Sequence, residues 1–293
     1  MNTPGNKFRD AIADNNPLMV VGAINAYCAK MAENAGHKAL YLSGAGVANA
    51  SFGLPDLAIT TLNDVAEDSR RITQATNLPL LIDIDTGFGG AFSISRTIKE
   101  MIAADVAAVH IEDQVTQKRC GHRPNKSLVD KTEMTDRIKA AVDARTDDSF
   151  FIMARTDSYA SEGMQGAIDR CNEYISAGAD GLFLEAVSSL EDYKQLKDSL
   201  QVPLLANITE FGKTPLFSAQ ELASVGVDIM LFPLSAFRAM NKAAESVYID
   251  IAENGSQVNS VEKMQTRDEL YEYLNYHSFE QKLDELFKRK ENK

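Results

Sequence analysis

The sequence has no uncharged apolar run long enough to span a membrane, and its 293 residues include only three cysteines, Cys28, Cys120 and Cys171. The first absence excludes a membrane-crossing helix. The second excludes a disulfide framework, and with no CxxC pair it also excludes a thiolate metal site. Positive charge is scarce as well: 30 Lys and Arg stand against 42 Asp and Glu, for a net charge of −12. No basic stripe runs along the chain, so no nucleic-acid partner is expected. The opening residues, MNTPGNKFRDAIADNN, follow neither the basic-then-apolar order of an export signal nor an arginine-rich transit pattern, which gives a cytoplasmic expectation. No GxGxxG follows the first apolar run and no linker-like or low-complexity tract divides the chain. A dinucleotide-binding doubly wound sheet is therefore disfavoured against one domain spanning 1–293.

What the sequence does contain is a regular alternation. Eight short apolar runs, PLMVVGAIN, HKALYLSGAG, LPLLIDIDTG, VAAVHIEDQ, FFIMARTDS, GLFLEAVS, VPLLANITE and VDIMLFPLS, are separated by segments with apolar residues three and four apart. Strands apolar on both faces, joined by amphipathic helices, indicate a parallel sheet of βα units, and eight units predict a closed (β/α)8 barrel of the TIM type. Beyond the eighth unit, residues 261–293 predict further helices. Their stripe of Leu270, Tyr271, Leu274, Phe279, Leu283, Leu286 and Phe287 at helical spacing is expected to be core or subunit interface.

A βα barrel carries its ligand site at the carboxyl ends of its strands. Those positions hold Tyr41, Ser43 and Gly44, then Asp83 and Asp85, then Glu112 and Asp113, then Arg155 and Asp157, then Glu185, and finally Asn207 and Thr209. Asp83 and Asp85, two apart on a strand, should point to one side. Two such carboxylates repel unless a divalent cation binds or one is protonated. With Glu112 one strand away, the donors are all hard oxygens, which favours Mg2+ or Mn2+; a salt-bridged acidic pair is the alternative. Gly87, Gly89 and Gly90 follow in the same loop. Arg155 would pair either with a ligand carboxylate or phosphate, or internally with Glu185 or Asp157. Glu185 would be a base, a histidine orienter or part of an ion pair. His110 lies in an apolar run and reads as a core histidine, while His37 and His277 read as helix-surface residues.

The stretch KRCGHRPNK, residues 118–126, gathers Lys118, Arg119, His122, Arg123 and Lys126 around Cys120. Cations there would lower the thiol pKa, and His122 could relay its proton. The loop 114–131 is long for a βα connection and is expected to act as a lid over the barrel mouth. Cys28 and Cys171, in helical segments, read as structural.

KRCGHRPNK together with DIDTGFGG, HIEDQ, MARTD, NITEFG and LFPLSAFRAMN resembles the isocitrate lyase and phosphoenolpyruvate mutase superfamily, most closely its 2-methylisocitrate-cleaving branch. The likeness runs from about Phe8 to the C-terminal helices. It implies a (β/α)8 barrel whose eighth helix is exchanged between subunits of a homotetramer, with Mg2+ (or Mn2+) in the mouth. The implied reaction is cleavage of a tricarboxylate, (2S,3R)-2-methylisocitrate, to pyruvate and succinate. By motif, Asp83 and Asp85 would hold the metal, with Glu112 and Asp56 reaching it through water. Cys120 would be the general acid, supported by Lys118, His122 and Glu185, and Tyr41 a candidate base. Substrate contacts would come from Ser43, Gly44, Ala45, Gly121, Arg155, Asn207, Ile208, Thr209, Arg238 and Arg267.

Three features depart from the pattern: a shortened Phe88-Gly89-Gly90-Ala91 stretch, Ala45 in place of a frequent glycine, and Leu184 in place of a frequent proline. They bear on pocket shape and so on the choice between 2-methylisocitrate and isocitrate, which one methyl group separates by only ~1–3 kcal/mol. The long insertion of true isocitrate lyases is absent. Other superfamily hydrolases or lyases, and a non-catalytic dicarboxylate-binding barrel, are the competing expectations.

Overall fold

The structure, a computed structural model, describes residues 2–121, 123 and 125–287. All eight predicted strands form: β1 (Leu18–Gly22), β2 (Ala39–Leu42), β3 (Leu80–Asp83), β4 (Ala108–Glu112), β5 (Phe151–Thr156), β6 (Gly181–Leu184), β7 (Leu204–Asn207) and β8 (Ile229–Phe232). Each pairs in parallel with the next, and β1 pairs with β8 from Leu18 opposite Ile229 to Val21 opposite Phe232, closing the barrel. A residue in such a strand meets side chains on both sides of the sheet, which is why these runs are apolar throughout rather than alternating.

Strand alternation separates two cores. Inside the barrel lie Leu18, Val20, Tyr41, Leu81, Met153, Phe183 and Leu205. Leu40, Leu42, Ile82, Val109, Ile152 and Ala206 face the surrounding helices. Continuing the inward register toward the carboxyl ends leads from Tyr41 to Ser43, Leu81 to Asp83, His110 to Glu112, Met153 to Arg155, Phe183 to Glu185 and Leu205 to Asn207. The interior therefore changes from largely apolar to polar or ionisable toward the carboxyl ends of these strands, and that change creates the site.

A helix not anticipated from the sequence, Pro4–Asp14, sends Phe8 into the interior core, edge-on to Phe151 at 5.4 Å. Its Thr3 cap accepts from the Asn6 amide, a contact worth about 1 kcal/mol.

The connection from β4 to the helix Lys131–Asp143 is folded rather than open. The Val115 amide donates to Ser127 O (3.0 Å) and the Val129 amide to Asp113 O (2.9 Å). The Gln114 side chain clasps the Arg119 backbone through both its amide groups, at 2.9 and 3.0 Å. The expected lid thus has a fixed stem.

The chain divides into two compact units, Met1–Phe237 and Arg238–Lys293, where the sequence suggested one domain with appended helices from 261. The second unit holds most of the helix Ser235–Asn254, together with Arg267–Leu274 and Tyr276–Phe287. None of these helices buries a residue. The core reading of the C-terminal stripe is accordingly corrected: Phe279, Leu283, Leu286 and Phe287 are all exposed. Among the described residues no helix is long and apolar enough to cross a membrane.

Candidate active site at the carboxyl ends of the strands

Asp83 ends β3, whereas Asp85 lies beyond it with φ +49°. The expectation that strand alternation aligns the two carboxylates is corrected, because the chain has already turned at Asp85. They converge by another route: a Cβ added at Gly44 would lie 3.1 Å from Asp83 Oδ2 and 3.1 Å from Asp85 Oδ1. The Gly44 amide donates to Asp83 Oδ2 at 3.3 Å and the Asp85 amide to Asp83 Oδ1 at 2.9 Å. Gly44 matters here for close approach, since a side chain would intrude on both carboxylates.

The environment pushes the two acids apart in pKa. Burial and the neighbouring Asp83 charge raise Asp85 to about 6 against the pull of Lys118. Asp83 is equally buried, but His110, Lys118 and Arg155 outweigh that penalty and hold it below its ordinary value. The pair resolves its repulsion unequally, as close carboxylates do.

His110, fully buried on β4, bonds the Tyr41 hydroxyl through Nε2 at 2.9 Å and places Nδ1 3.7 Å from Asp83 Oδ1. Burial lowers its pKa to about 4, despite the opposing Asp83 charge. Burial, then Asp83, lifts the Tyr41 phenol well above its ordinary value. A phenol so placed resists becoming the phenolate that a base would require.

Arg155 on β5 has Nε 3.0 Å from Asp157 Oδ2 and 3.3 Å from Glu112 Oε2, and Nη2 3.2 Å from Glu185 Oε2. Its guanidinium also lies over the Phe183 ring at 4.9 Å. Of its two open readings, internal pairing is the one realised in this geometry. Glu112 is wholly buried, and burial drives its pKa well above the ordinary carboxylate value against Arg155 and Lys118. The Asn207 amide donates to Glu185 Oε1 at 3.3 Å, and Asn207 Oδ1 is buried without a hydrogen bond among the described residues. Ile208 and Thr209 are buried just beyond Asn207, and Ser43 and Ala45 flank Gly44 after β2.

The long loop sits against these groups. Lys118 is 4 % exposed, with Nζ 2.5 Å from Asp56 Oδ1 and 2.8 Å from Asp85 Oδ1. Burial opposes its charge, but Asp85, Asp83, Glu112 and Asp56 prevail and keep it protonated. Lys126 Nζ lies 2.5 Å from Asp157 Oδ1 and donates to Gly121 O at 2.6 Å. A Cβ on Gly121 would fall 2.4 Å from Arg155 Nη2 and 2.5 Å from Glu185 Oε2. The glycine therefore lies flat on that ion pair and brings half-buried Cys120 to the mouth.

The cations around the thiol do not all serve it as expected. Lys118 and Lys126 are committed to carboxylates, and Arg119 and Arg123 are exposed. His122 lies outside the described residues. Arg238 and Arg267 belong to the second unit, in Ser235–Asn254 and at the start of Arg267–Leu274. Cys28 and Cys171 are buried with raised thiol pKa values, burial being the main cause, as suits structural thiols. His277 is on the surface beside Glu280 at 3.1 Å.

Sequence reasoning placed Asp157 at a strand end and Lys126 in the basic stretch but did not join them. It also missed a cavity of about 390 Å³ that reaches Asp85 from the side, between Thr60, Asn63, Phe88 and Arg96.

The donors suit a hard divalent ion. Among the described residues both Glu112 carboxylate oxygens are buried without a hydrogen bond, Oε2 meeting Arg155 Nε only as an ion pair at 3.3 Å, and Asp85 Oδ1 faces the Lys118 ammonium at 2.8 Å. Among the described residues no three His, Cys, Asp or Glu side chains form a preassembled cage. Mg2+ is commonly held by one or two carboxylates with waters and substrate supplying the rest, so the residues present fit that ion.

The sequence pattern of phosphoenolpyruvate phosphomutase matches residues 8–252. The chain belongs to the phosphoenolpyruvate phosphomutase family. Within it, the chain is 61 % identical to a 2-methylisocitrate lyase of Vibrio cholerae over 97 % of this chain and 94 % of that one. The crystal structure of a 2,3-dimethylmalate lyase, 34 % identical, superposes with a TM-score of 0.89 over 98 % of this chain and 96 % of that one. A phosphonopyruvate hydrolase crystallised with oxalate and Mg2+, 26 % identical, superposes at 0.85 over 98 % of this chain and all (100 %) of the other.

Proposed function

We propose that the chain is a 2-methylisocitrate lyase, cleaving 2-methylisocitrate to pyruvate and succinate with Mg2+ held by Asp83, Asp85 and Glu112, Mn2+ being the alternative ion. One observation carries the reading. The loop bearing Cys120 is tied by Lys118 to Asp85 at 2.8 Å, which supports the reading that a thiol and the acidic pair would serve one small ligand.

The net chemistry balances without water: a general base of the mouth takes the substrate hydroxyl proton as that oxygen becomes the pyruvate carbonyl, the C2–C3 bond breaks, and its electron pair passes to C3. Cys120 delivers a proton to that carbon, completing succinate, and the proton first removed from the hydroxyl restores the thiol for the next turnover. A bound Mg2+ would act as a Lewis acid toward the hydroxy-acid oxygens. The protein's own contribution is orientation: Ser43 and Gly44 line the metal side, Asn207 and Thr209 the opposite side, and Gly121 seals the loop over Arg155 and Glu185. Exclusion of water by the loop keeps the carbanion from being quenched out of place.

The resemblance further supports a cytoplasmic homo-oligomer. Exposed Tyr248, Phe279, Leu286 and Phe287 would then be covered by another copy, and Arg238 and Arg267 would bind substrate carboxylates.

The test is pyruvate release by purified protein with Mg2+, from 2-methylisocitrate and from isocitrate in parallel, before and after EDTA. Preferential release from the methylated substrate, lost on chelation and regained with Mg2+, is expected. Equal or greater release from isocitrate would reassign the substrate, no release from either with a dicarboxylate still bound would make the barrel a binding protein, and activity surviving exhaustive chelation would remove the metal.

A further inference from the structure

Lys126 lies six residues beyond Cys120, and neither its charge nor its place in the loop calls for burial. Nevertheless its side chain is only 8 % exposed, with Nζ 2.5 Å from Asp157 Oδ1. Its second acceptor is a backbone group, Gly121 O at 2.6 Å. That carbonyl belongs to the residue directly after the thiol.

We propose that Lys126 is a positioning residue for the Cys120 proton donor, a latch that fixes the peptide after the thiol against the carboxylates of the mouth. The proposal rests on the reading of Cys120 as general acid.

Three observations support it. First, Gly121 has no slack, because its α-carbon packs on Arg155 and Glu185 so closely that a methyl group would fall 2.4 Å from Arg155 Nη2. With one face of the residue seated and its carbonyl pulled toward Lys126, the Cys120 Cα–Cβ direction is set. Second, Asp157 is fully shared: Oδ1 takes Lys126 while Oδ2 takes Arg155 Nε at 3.0 Å. Arg155 in turn holds Glu112 and Glu185, so the latch is referenced to the groups around the reacting carbon. Third, the loop stem is secured elsewhere, by Val115 to Ser127 and Val129 to Asp113. Lys126 is thus not needed to hold the loop ends together, and its contacts act on the segment carrying the thiol.

Misplacing a reacting group by about 1 Å can cost on the order of 10²-fold in rate without loss of binding. Lys126→Met keeps most of the aliphatic stem and removes the donors. Lys126→Arg keeps the charge but cannot place an N–H at both acceptors in the same geometry.

The experiment measures kcat, KM and the solvent deuterium isotope effect with 2-methylisocitrate for both variants, the wild type and Cys120→Ala, with thermal melting as a check on folding. Expected for Lys126→Met is a fall in kcat of about 10²-fold with KM within about 3-fold. The isotope effect should also rise, as proton delivery becomes rate-limiting. Lys126→Arg should fold like wild type and show the same signature in weaker form, so the question remains answerable if the methionine variant does not fold. Turnover within about 3-fold of wild type in a folded variant overturns the proposal, as does a loss of kcat with an unchanged isotope effect. If Cys120→Ala is inactive while both Lys126 variants are normal, this inference alone fails. Full turnover by Cys120→Ala, or none by wild type, removes the underlying reading and the inference with it.

Discussion

Lys118 Nζ lies 2.8 Å from Asp85 Oδ1 and 2.5 Å from Asp56 Oδ1, so an ammonium from the loop supplies positive charge among the carboxylates assigned to Mg2+. Removing one partner of a buried ion pair leaves the others uncompensated, at a cost of about 3–5 kcal/mol. Metal-free Lys118→Met should therefore melt well below metal-free wild type. Because a divalent ion can restore the missing charge, saturating Mn2+ should raise the melting temperature of the variant by more than that of wild type. Differential scanning calorimetry with and without MnCl2 measures both shifts. Equal shifts would mean that Lys118 and the ion do not act on the same carboxylates.

The thiol assignment makes a sharper demand. Cys120→Ser preserves size and hydrogen-bonding capacity but replaces a readily ionised acid with a far weaker one. General acid catalysis contributes typically about 10²–10⁴-fold, so kcat should fall by at least the lower bound while KM changes little. Steady-state pyruvate release with 2-methylisocitrate decides the matter. A serine enzyme with wild-type kcat would exclude Cys120 as the proton donor.

Stability of the metal-free protein should respond to Asp85 with a definite sign. Its folded pKa of about 6 is raised from 3.8, so the folded state binds this proton more readily than the unfolded chain. The associated stability is fully present below pH 3.8, declines as pH rises toward 6, and is absent above it. Asp85→Asn removes that penalty. At pH 7 the EDTA-treated variant should be more stable than wild type by an amount on the order of 1–3 kcal/mol, with the difference shrinking below pH 5. Urea unfolding at pH 4.5 and pH 7 tests this. A variant less stable at pH 7 would show that the Lys118 contact outweighs the burial cost.

These ion pairs mark where the sequence ceased to be legible. The strands could be read because burial on both faces imposes apolarity on consecutive residues, a constraint local to each run. The mouth could be read because the inward register ends in Asp83, Glu112, Arg155, Glu185 and Asn207, and a βα barrel carries its ligand site at the carboxyl ends of its strands. The partners of Lys118 and Lys126 could not. Each lies at least 31 residues from its carboxylate, and the fold of the loop, which no periodicity records, selects one cation among several. Asp85 likewise escaped the strand rule because its backbone turns to φ +49°. The stripe at Phe279 and Leu283 was visible as a pattern, but helical spacing alone does not say what covers it.

Tyr41 provides the test of which group takes the hydroxyl proton. Its hydroxyl bonds His110 Nε2 at 2.9 Å inside the barrel, and burial together with Asp83 keeps the phenol protonated. If it served as the base, Tyr41→Phe would abolish turnover. In the geometry observed, the substitution instead leaves a buried histidine nitrogen without its partner, a cost of about 1–3 kcal/mol. The expected variant is therefore destabilised by that amount at pH 7, with kcat reduced less than about 10-fold. The Tyr41–His110 bond also aligns the imidazole that faces Asp83 at 3.7 Å, so any activity loss should accompany weaker Mn2+ binding rather than a displaced pH–rate profile. Measuring kcat across pH 6–9 alongside Mn2+ affinity separates the two roles. A fall beyond about 10³-fold with undiminished metal binding would restore Tyr41 as the group that takes the hydroxyl proton.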